Sequence, residues 1–280
     1  MILVVGAKGM LGQDLMRVLP GDVRGVDIGE IDITSAESVR RVLLTLKPRV
    51  VVNAAAYTDV DGCETNVELA MKVNGEGVGH LAAVTKELGA LLVQLSTDYV
   101  FDGGKGSACG EDDPVNPLSV YGRSKLLGEE NARTNPDHLI VRTQWLYGLG
   151  GKNFVETMLR LAKERTELAV VDDQIGSPTW TVDLALAINE LIDNGRRGTY
   201  HAANSGFCSW YGFAGAIFAE AGVPMKVRPQ TTEELGRPAP RPLYSVLDCG
   251  KLSRDTGLVL EQWREALKSY LAKRREAGMN

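Results

Sequence analysis

The sequence predicts an α/β fold, a doubly wound parallel sheet with a smaller C-terminal substrate-binding domain. Three observations predict it. The chain opens on a short apolar run that turns on glycines into a helix; apolar runs and helical runs then alternate through the first half; and beyond Gly148 that regularity loosens. Strands joined through helices lie parallel and cross over with the right hand, which makes the first half a Rossmann-type sheet. A continuous apolar run such as Leu91-Leu-Val-Gln-Leu95 is a strand buried on both faces.

The first strand, Ile2–Val5, leads into Gly6-Ala-Lys-Gly9-Met-Leu-Gly12 and a helix over Met10–Leu19. Such a turn brings backbone N–H groups and the positive helix end against a pyrophosphate. The spacing is Gly-x-x-Gly-x-x-Gly, and each glycine does the same work as in the commoner Gly-x-Gly-x-x-Gly fingerprint. A second strand, Asp22–Val26, ends at Asp27, where a carboxylate binds the adenosine ribose hydroxyls and, by charge, favours NADH over NADPH. Asp32-Ile33 is a second candidate, flanking the adenine. Thr34-Ser-Ala-Glu37 reads as a capping box for a helix ending near Leu46, stopped by Pro48. The third strand, Val50–Asn53, runs into Ala54-Ala-Ala56-Tyr57-Thr58, whose small side chains let a flat cofactor lie on the backbone. From Asn66 to Leu88 the pattern is helical, with Leu69, Val73 and Leu81 as core positions.

The strand from Leu91 breaks into Ser96-Thr97-Asp98-Tyr99, at the carboxyl edge where open α/β sheets bind ligands. A helix over Leu118–Ala132 follows, with Tyr121 and Lys125 on one face. A nearby ammonium favours the phenolate and draws a tyrosine from its ordinary pKa of ~10 toward neutrality. Tyr121 can then protonate a carbonyl oxygen that Thr97, or Ser96 before it, holds by a hydrogen bond. Tyr-x-x-x-Lys alone recurs by chance, and the glycine turn supplies the cofactor that gives it meaning.

A fifth strand, Leu139–Val141, ends in Arg142-Thr-Gln-Trp145-Leu-Tyr-Gly148, which puts Trp145 at the same edge as Thr97 and Tyr121. Beyond it come a helix over Phe154–Arg165, a strand at Leu168–Val171, a polar turn from Asp172 to Thr179, a helix over Val182–Ile192 and a strand at Gly198–Ala202. Ser209 caps a helix over Trp210–Ala221, and a terminal helix spans Glu261–Arg274. Residues 1–148 form the dinucleotide-binding domain, with 179–205 returning to it; 149–178 and 206–280 form the second. His201 reads as a packed histidine, Trp210, Tyr211 and Phe213 as core, and Trp263 as the anchor of the last helix.

Composition narrows the function. The 280 residues are 44% hydrophobic and 24% charged, an ordinary globular balance. A formal charge of −5 without a basic cluster argues against nucleic acid. No apolar run approaches the ~18 residues of a membrane span and no basic leader precedes Ile2, so a soluble cytoplasmic protein is expected. Cys63, Cys109, Cys208 and Cys249 lie far apart, without metal-ligand spacing, and read as reduced thiols.

Taken together, Gly6-x-x-Gly9-x-x-Gly12, Asn53-Ala-Ala-Ala-Tyr-Thr58, Ser96-Thr-Asp-Tyr-Val-Phe-Asp-Gly103, Tyr121-Gly-x-Ser-Lys125, Arg142-Thr-x-Trp145-x-Tyr-Gly148, Asn153-Phe154 and Asp173-Gln-x-Gly-x-Pro-Thr179 resemble the dTDP-4-dehydrorhamnose reductase family. This is a branch of the extended short-chain dehydrogenases/reductases, and the likeness covers nearly the whole chain. The resemblance implies reduction of the 4-keto group of dTDP-4-dehydro-L-rhamnose by NADPH or NADH, with Thr97, Tyr121 and Lys125 catalytic. It implies a cofactor cradle of Gly9, Met10, Leu11, Asp32, Ile33, Ala56, Tyr57 and Thr58, joined by Tyr121 and Lys125. It places the sugar nucleotide against Thr97, Asp98, Tyr99, Tyr121 and Trp145. Met10 departs from the glutamine many members carry, and Leu235-Gly-Arg-Pro-Ala-Pro-Arg241-Pro follows the family's proline-rich lid only in part. Some members bind Mg²⁺ at a dimer interface; its carboxylates have no assignable counterpart here, and metal and homodimer stay open. Two rival readings are another sugar-nucleotide epimerase or dehydratase of the same superfamily, and a regulatory subunit like that of methionine adenosyltransferase.

Overall fold

Alternate residues of each strand face opposite sides of the sheet, so continuous apolar runs require two covering layers. A computed structural model of the chain, describing residues 1–279, shows both. The strands β1 (Ile2–Val5), β2 (Val23–Val26), β3 (Val50–Asn53), β4 (Leu91–Thr97) and β5 (His138–Thr143) join the strand Gly198–His201 in one sheet. The order is Gly198–His201, β5, β4, β3, β1, β2, and every pairing is parallel. Val4, Val52, Val93 and Leu139 pack on one side against Leu11 and Leu15 of α1 (Met10–Val18). Leu3, Val51, Leu92 and Ile140 pack on the other against Val39 and Leu43 of α2 (Ala36–Leu46). Each such fully buried leucine or valine contributes roughly 1.5–3 kcal/mol.

The chain runs from β1 to β2 on one side, then crosses back past β1 to β3 on the other. Ligands bind where strand order reverses in this way, at the carboxyl ends. Gly6 follows β1 and Ala54-Ala55 follows β3, so these two segments flank the crevice. The next helices are α3 (Val60–Thr65), α4 (Val67–Met71) and α5 (Gly77–Leu88), with a π-helical segment at Lys72–Glu76, then α6 (Val120–Ala132). A separate core surrounds Tyr147, Phe213 and Tyr270, built from α7 (Phe154–Ala162), α9 (Trp210–Ala221) and the helix Trp263–Glu276. Between them α8 (Thr181–Asp193) returns to the sheet, its Leu184 and Ile188 in the first core. Leu252 and Leu260 also belong to that first core, so part of the last forty residues packs beneath the sheet.

Four local expectations change. Ser35, not Thr34, caps α2, accepting from Ser38 N at 3.2 Å, because Thr34 is spent on Asp32 at 2.7 Å. Leu69 is 46% exposed and Ala70 takes the core position, since the π segment breaks the single helical period assumed from Leu69 to Leu81. Helix α7 ends at Ala162 instead of Arg165. A strand at Lys226–Gln230, parallel to Glu167–Val171, went unread; it carries Pro229, is half exposed and lacks alternation. Ser209 does cap α9, accepting from Gly212 N at 3.0 Å.

Candidate active site

The glycine turn is shaped by contacts that admit no side chain. Gly6 has φ +81°, and a Cβ there would lie 2.7 Å from Ala55 N; one on Gly12 would lie 2.1 Å from Gly6 O. Gly9, the N-cap of α1, is exposed, and no side chain caps this helix end. The arrangement fits a pyrophosphate, since open N–H groups at a helix start favour an anion. Leu11 has its side chain in the core and offers only its backbone. Met10 is overlain by the turn before α7, with Asn153 Nδ2 at 3.6 Å from its sulfur and Gln13 Nε2 at 3.4 Å from Gly150 O. Asp27 already accepts from Lys8 N at 2.8 Å and Ile28 N at 2.8 Å, so its carboxylate is bound to the turn itself. Asp32 is exposed and bonded to Thr34, whereas Ile33 is buried with its carbonyl 2.9 Å from His80 Nδ1.

Ala56, Tyr57 and Thr58 continue the crevice from β3, half-buried to exposed. Asn74, inside the π segment, clamps this stretch: it accepts from Tyr57 N at 2.8 Å and donates to Tyr57 O at 2.9 Å and to Ser124 Oγ at 3.0 Å. It therefore ties the crevice wall to α6, a role unseen in the sequence because asparagine inside a helical run looks like a solvated position.

Thr97 ends β4, and its hydroxyl donates to Asp98 Oδ1 at 2.9 Å and accepts from Tyr99 N at 3.2 Å, with the Tyr121 phenol close enough to be influenced by it. Ser96 points the other way, donating to buried Glu129 at 2.6 Å, so only Thr97 meets Tyr121. Gly122 lets α6 approach this closely, since a Cβ there would lie 2.3 Å from Tyr99 O. Tyr99 packs edge-on against Tyr121, ring centroids 5.4 Å apart. Lys125 lies one turn on, 4% exposed, donating to Leu95 O at 2.6 Å. The expected tuning of Tyr121 by Lys125 is not met. Burial, then the Asp98 charge, raises the Tyr121 phenol well above its ordinary value, while burial lowers Lys125 to about 8 against the opposing charge of Glu129. Asp98 itself is buried with one oxygen unpaired, and burial raises it to about 6.

Beyond Tyr99 opens a cleft of about 930 Å³ between the two cores. Phe154 and Trp210 line one wall, Asp61 and Tyr99 the other, and four arginines, Arg165, Arg228, Arg237 and Arg241, face in. Asp61 accepts from Arg237 and Arg241, each at 3.0 Å, and from Ala239 N at 3.2 Å, which ties the proline-rich segment across the cleft. Trp145 follows Thr143, the register partner of Thr97, and so stands at the same sheet edge. It has φ 47° and stacks on Trp210 at 3.6 Å, their planes 10° apart. Trp210 thus belongs to the cleft as well as the core, whereas Phe213 is fully buried as expected. His201 is packed beside Arg142, 3.4 Å away, and Trp263 meets Phe213 edge-on at 5.8 Å. Among the described residues no group of three or more His, Cys, Asp or Glu could hold a metal ion, and the four cysteines are free. None of their helices is long and apolar enough to cross a membrane.

Comparison with known proteins matches residues 1–276 to the model of the RmlD substrate binding domain. The dTDP-4-dehydrorhamnose reductase of Streptomyces griseus is 46% identical, covering 95% of this chain and 91% of that protein. A solved dTDP-4-dehydrorhamnose reductase from Clostridium acetobutylicum is 47% identical with TM-score 0.96, covering 98% and 99% of the two chains. The Bacillus anthracis dTDP-4-dehydrorhamnose reductase, solved in complex with NADP, is 40% identical with TM-score 0.95 over 97% and 98%.

Proposed function

The chain belongs to the RmlD substrate binding domain family, and from that premise we propose that it reduces the 4-keto group of dTDP-4-dehydro-L-rhamnose to give dTDP-L-rhamnose, using NADPH or NADH. The observation that carries this reading is the conjunction of Thr97, Tyr121 and Lys125 at the end of β4, between an uncapped glycine turn and an arginine-lined cleft. The nucleotide cofactor rests on the Gly6–Gly12 turn and against Ala56, Tyr57 and Thr58, and supplies the hydride when bound. Its ribose meets Asp27 or Lys125, and Asp32 and Ile33 stand toward the adenine.

Thr97 and Tyr121 both address the carbonyl oxygen. Negative charge grows on that oxygen during reduction, and hydrogen bonds donated to it by the phenol and by the hydroxyl, which turns from Asp98 to do so, stabilise that charge. The phenol of Tyr121 keeps its proton in this buried setting until that charge appears, then transfers it. Lys125, fixed on the Leu95 carbonyl one turn from Tyr121, holds a positive charge that offsets the negative charge growing at the reacting oxygen. Asp98, Tyr99 and Trp145 orient the sugar, and the arginines of the cleft take the diphosphate by charge-assisted hydrogen bonds.

The domains follow this division of labour. Residues 1–148 and 179–205 bind the dinucleotide, supported by the pairing of Gly198–His201 with β5; 149–178 and 206–280 bind the sugar nucleotide. The location we propose is cytoplasmic, where both nucleotides are available. Mixing the purified protein with dTDP-4-dehydro-L-rhamnose should lower the 340 nm absorbance of either cofactor, and no decrease with either would refute the reading.

A further inference from the structure

Three residues of α6 stand four apart on one stripe, Tyr121, Lys125 and Glu129. Two of them bond the end of β4, Lys125 donating to Leu95 O at 2.6 Å and Glu129 accepting from Ser96 Oγ at 2.6 Å, while Tyr121 lies beside Thr97. Resting on the reductase reading above, we propose that Glu129 is a positioning residue for the reaction, locking the end of β4 onto α6 and supplying the negative charge that keeps Lys125 protonated.

The side chain of Glu129 has no exposure to solvent, and a carboxylate so placed is retained only with partners. Arg142 of β5 holds both oxygens, Nε to Oε1 and Nη2 to Oε2, each at 2.8 Å; Arg133 adds a contact at 3.0 Å from the next turn. Burial pushes the Glu129 carboxyl up, but Arg142, Ser96 and Arg133 outweigh it and hold the group below its ordinary range. It is therefore an anion at any working pH. Lys125, by contrast, has a neutral carbonyl as its hydrogen-bond partner, and Glu129 is the charge that opposes its desolvation.

The other charged groups around this cluster do not replace Glu129: Asp98, the second buried carboxylate, faces Thr97 and Tyr121, and the charge acting on Lys125 is that of Glu129. Arg142 and Arg133 are cations, and they bond the carboxylate directly. His201, 3.4 Å from Arg142 in the adjoining strand, stays neutral, since burial and then that guanidinium lower it to about 3. Glu111 sits behind His201, accepting from its backbone N at 3.0 Å. An arginine pair serving only to fasten β5 to α6 would need neither the bond to Ser96 nor a place one turn from Lys125.

Glu129→Gln keeps the shape and removes the charge; Glu129→Gln with Arg142→Met also removes the buried guanidinium that the first change leaves unpaired. In either folded variant kcat should fall roughly tenfold or more at pH 7.5, as small misplacements at a reacting centre do, while KM for the sugar nucleotide stays within about twofold, since the cleft is untouched. The alkaline limb of the pH profile should move acidward by about one pH unit. The Lys125 pKa, read by NMR titration of protein carrying ¹³C-labelled lysine, should drop by a similar amount, and this readout needs no substrate. A wild-type protein without reductase activity would sink the reductase reading but leave that titration to decide the role of Glu129. If the single variant fails to fold, the pair variant decides. A folded variant with the native limb and native Lys125 titration, or one losing melting temperature alone, would overturn the proposal.

Discussion

The ammonium of Lys125 lies 2.6 Å from the carbonyl of Leu95, two residues before Thr97 ends β4. Burial holds that ammonium at about 8, against an ordinary 10.5, with Glu129 opposing the decrease. The protonated form is the working form, so its contribution is complete below about 8 and is lost as pH rises through that value. The expected result is a kcat/KM for the sugar nucleotide that declines above pH 8. A flat profile to pH 10, measured by initial rates, would remove Lys125 from the mechanism.

Tyr121→Phe deletes one hydroxyl from a ring held edge-on against Tyr99. Cofactor should still bind, as followed by fluorescence titration, while kcat falls by ~10² or more, the usual worth of a positioned acid. Undiminished turnover would refute the assignment.

Trp145→Phe keeps most of the volume but shortens the surface stacked on Trp210. An indole there can pack against the apolar face of a deoxy sugar and donate its N–H. KM for the sugar nucleotide should rise at least several-fold with cofactor affinity and melting temperature nearly unchanged. A large drop in melting temperature at constant KM would place Trp145 in the seam between the cores, as a plug.

Both cofactors should support turnover. Asp27 repels a 2′-phosphate, yet its carboxylate is already engaged by Lys8 N and Ile28 N, and the Lys8 side chain beside it is exposed. One clash or contact of this kind supplies less than about a thousandfold discrimination, so a ratio of kcat/KM beyond that, for either cofactor, would show that another group selects it.

What could be read in the sequence was what the chain does locally. Gly6, Gly9 and Gly12 announced a turn because their spacing is set by one strand and one helix, and Tyr121 and Lys125 shared a face because helical geometry demands it. The sheet followed from alternation, although its reversal point between β1 and β3 needed the paired strands. Contacts across long separations stayed hidden. Asp61 meets Arg241 across 180 residues, and neither residue type signals the other. Glu129 stands in Leu-Gly-Glu-Glu-Asn, which looks like a solvated helix face; only β5 packing against α6 turns it inward onto Arg142. Trp210 looked like core because aromatic residues on an apolar helix usually are, and its place on the cleft wall depends on Trp145 adopting a positive φ beside it.

The central claim is net reduction at the sugar's carbonyl carbon by the Thr97, Tyr121 and Lys125 constellation, and isotope transfer tests it most directly. The enzyme is supplied with dTDP-4-dehydro-L-rhamnose and NADPH deuterated at the transferable position of the nicotinamide, and the sugar nucleotide is analysed by mass spectrometry and NMR. The account predicts one cofactor oxidised per sugar and one deuterium recovered at C4 of the product. A product formed without net cofactor oxidation and without label at C4 would contradict it, and would instead mark an enzyme that returns the hydride it borrows.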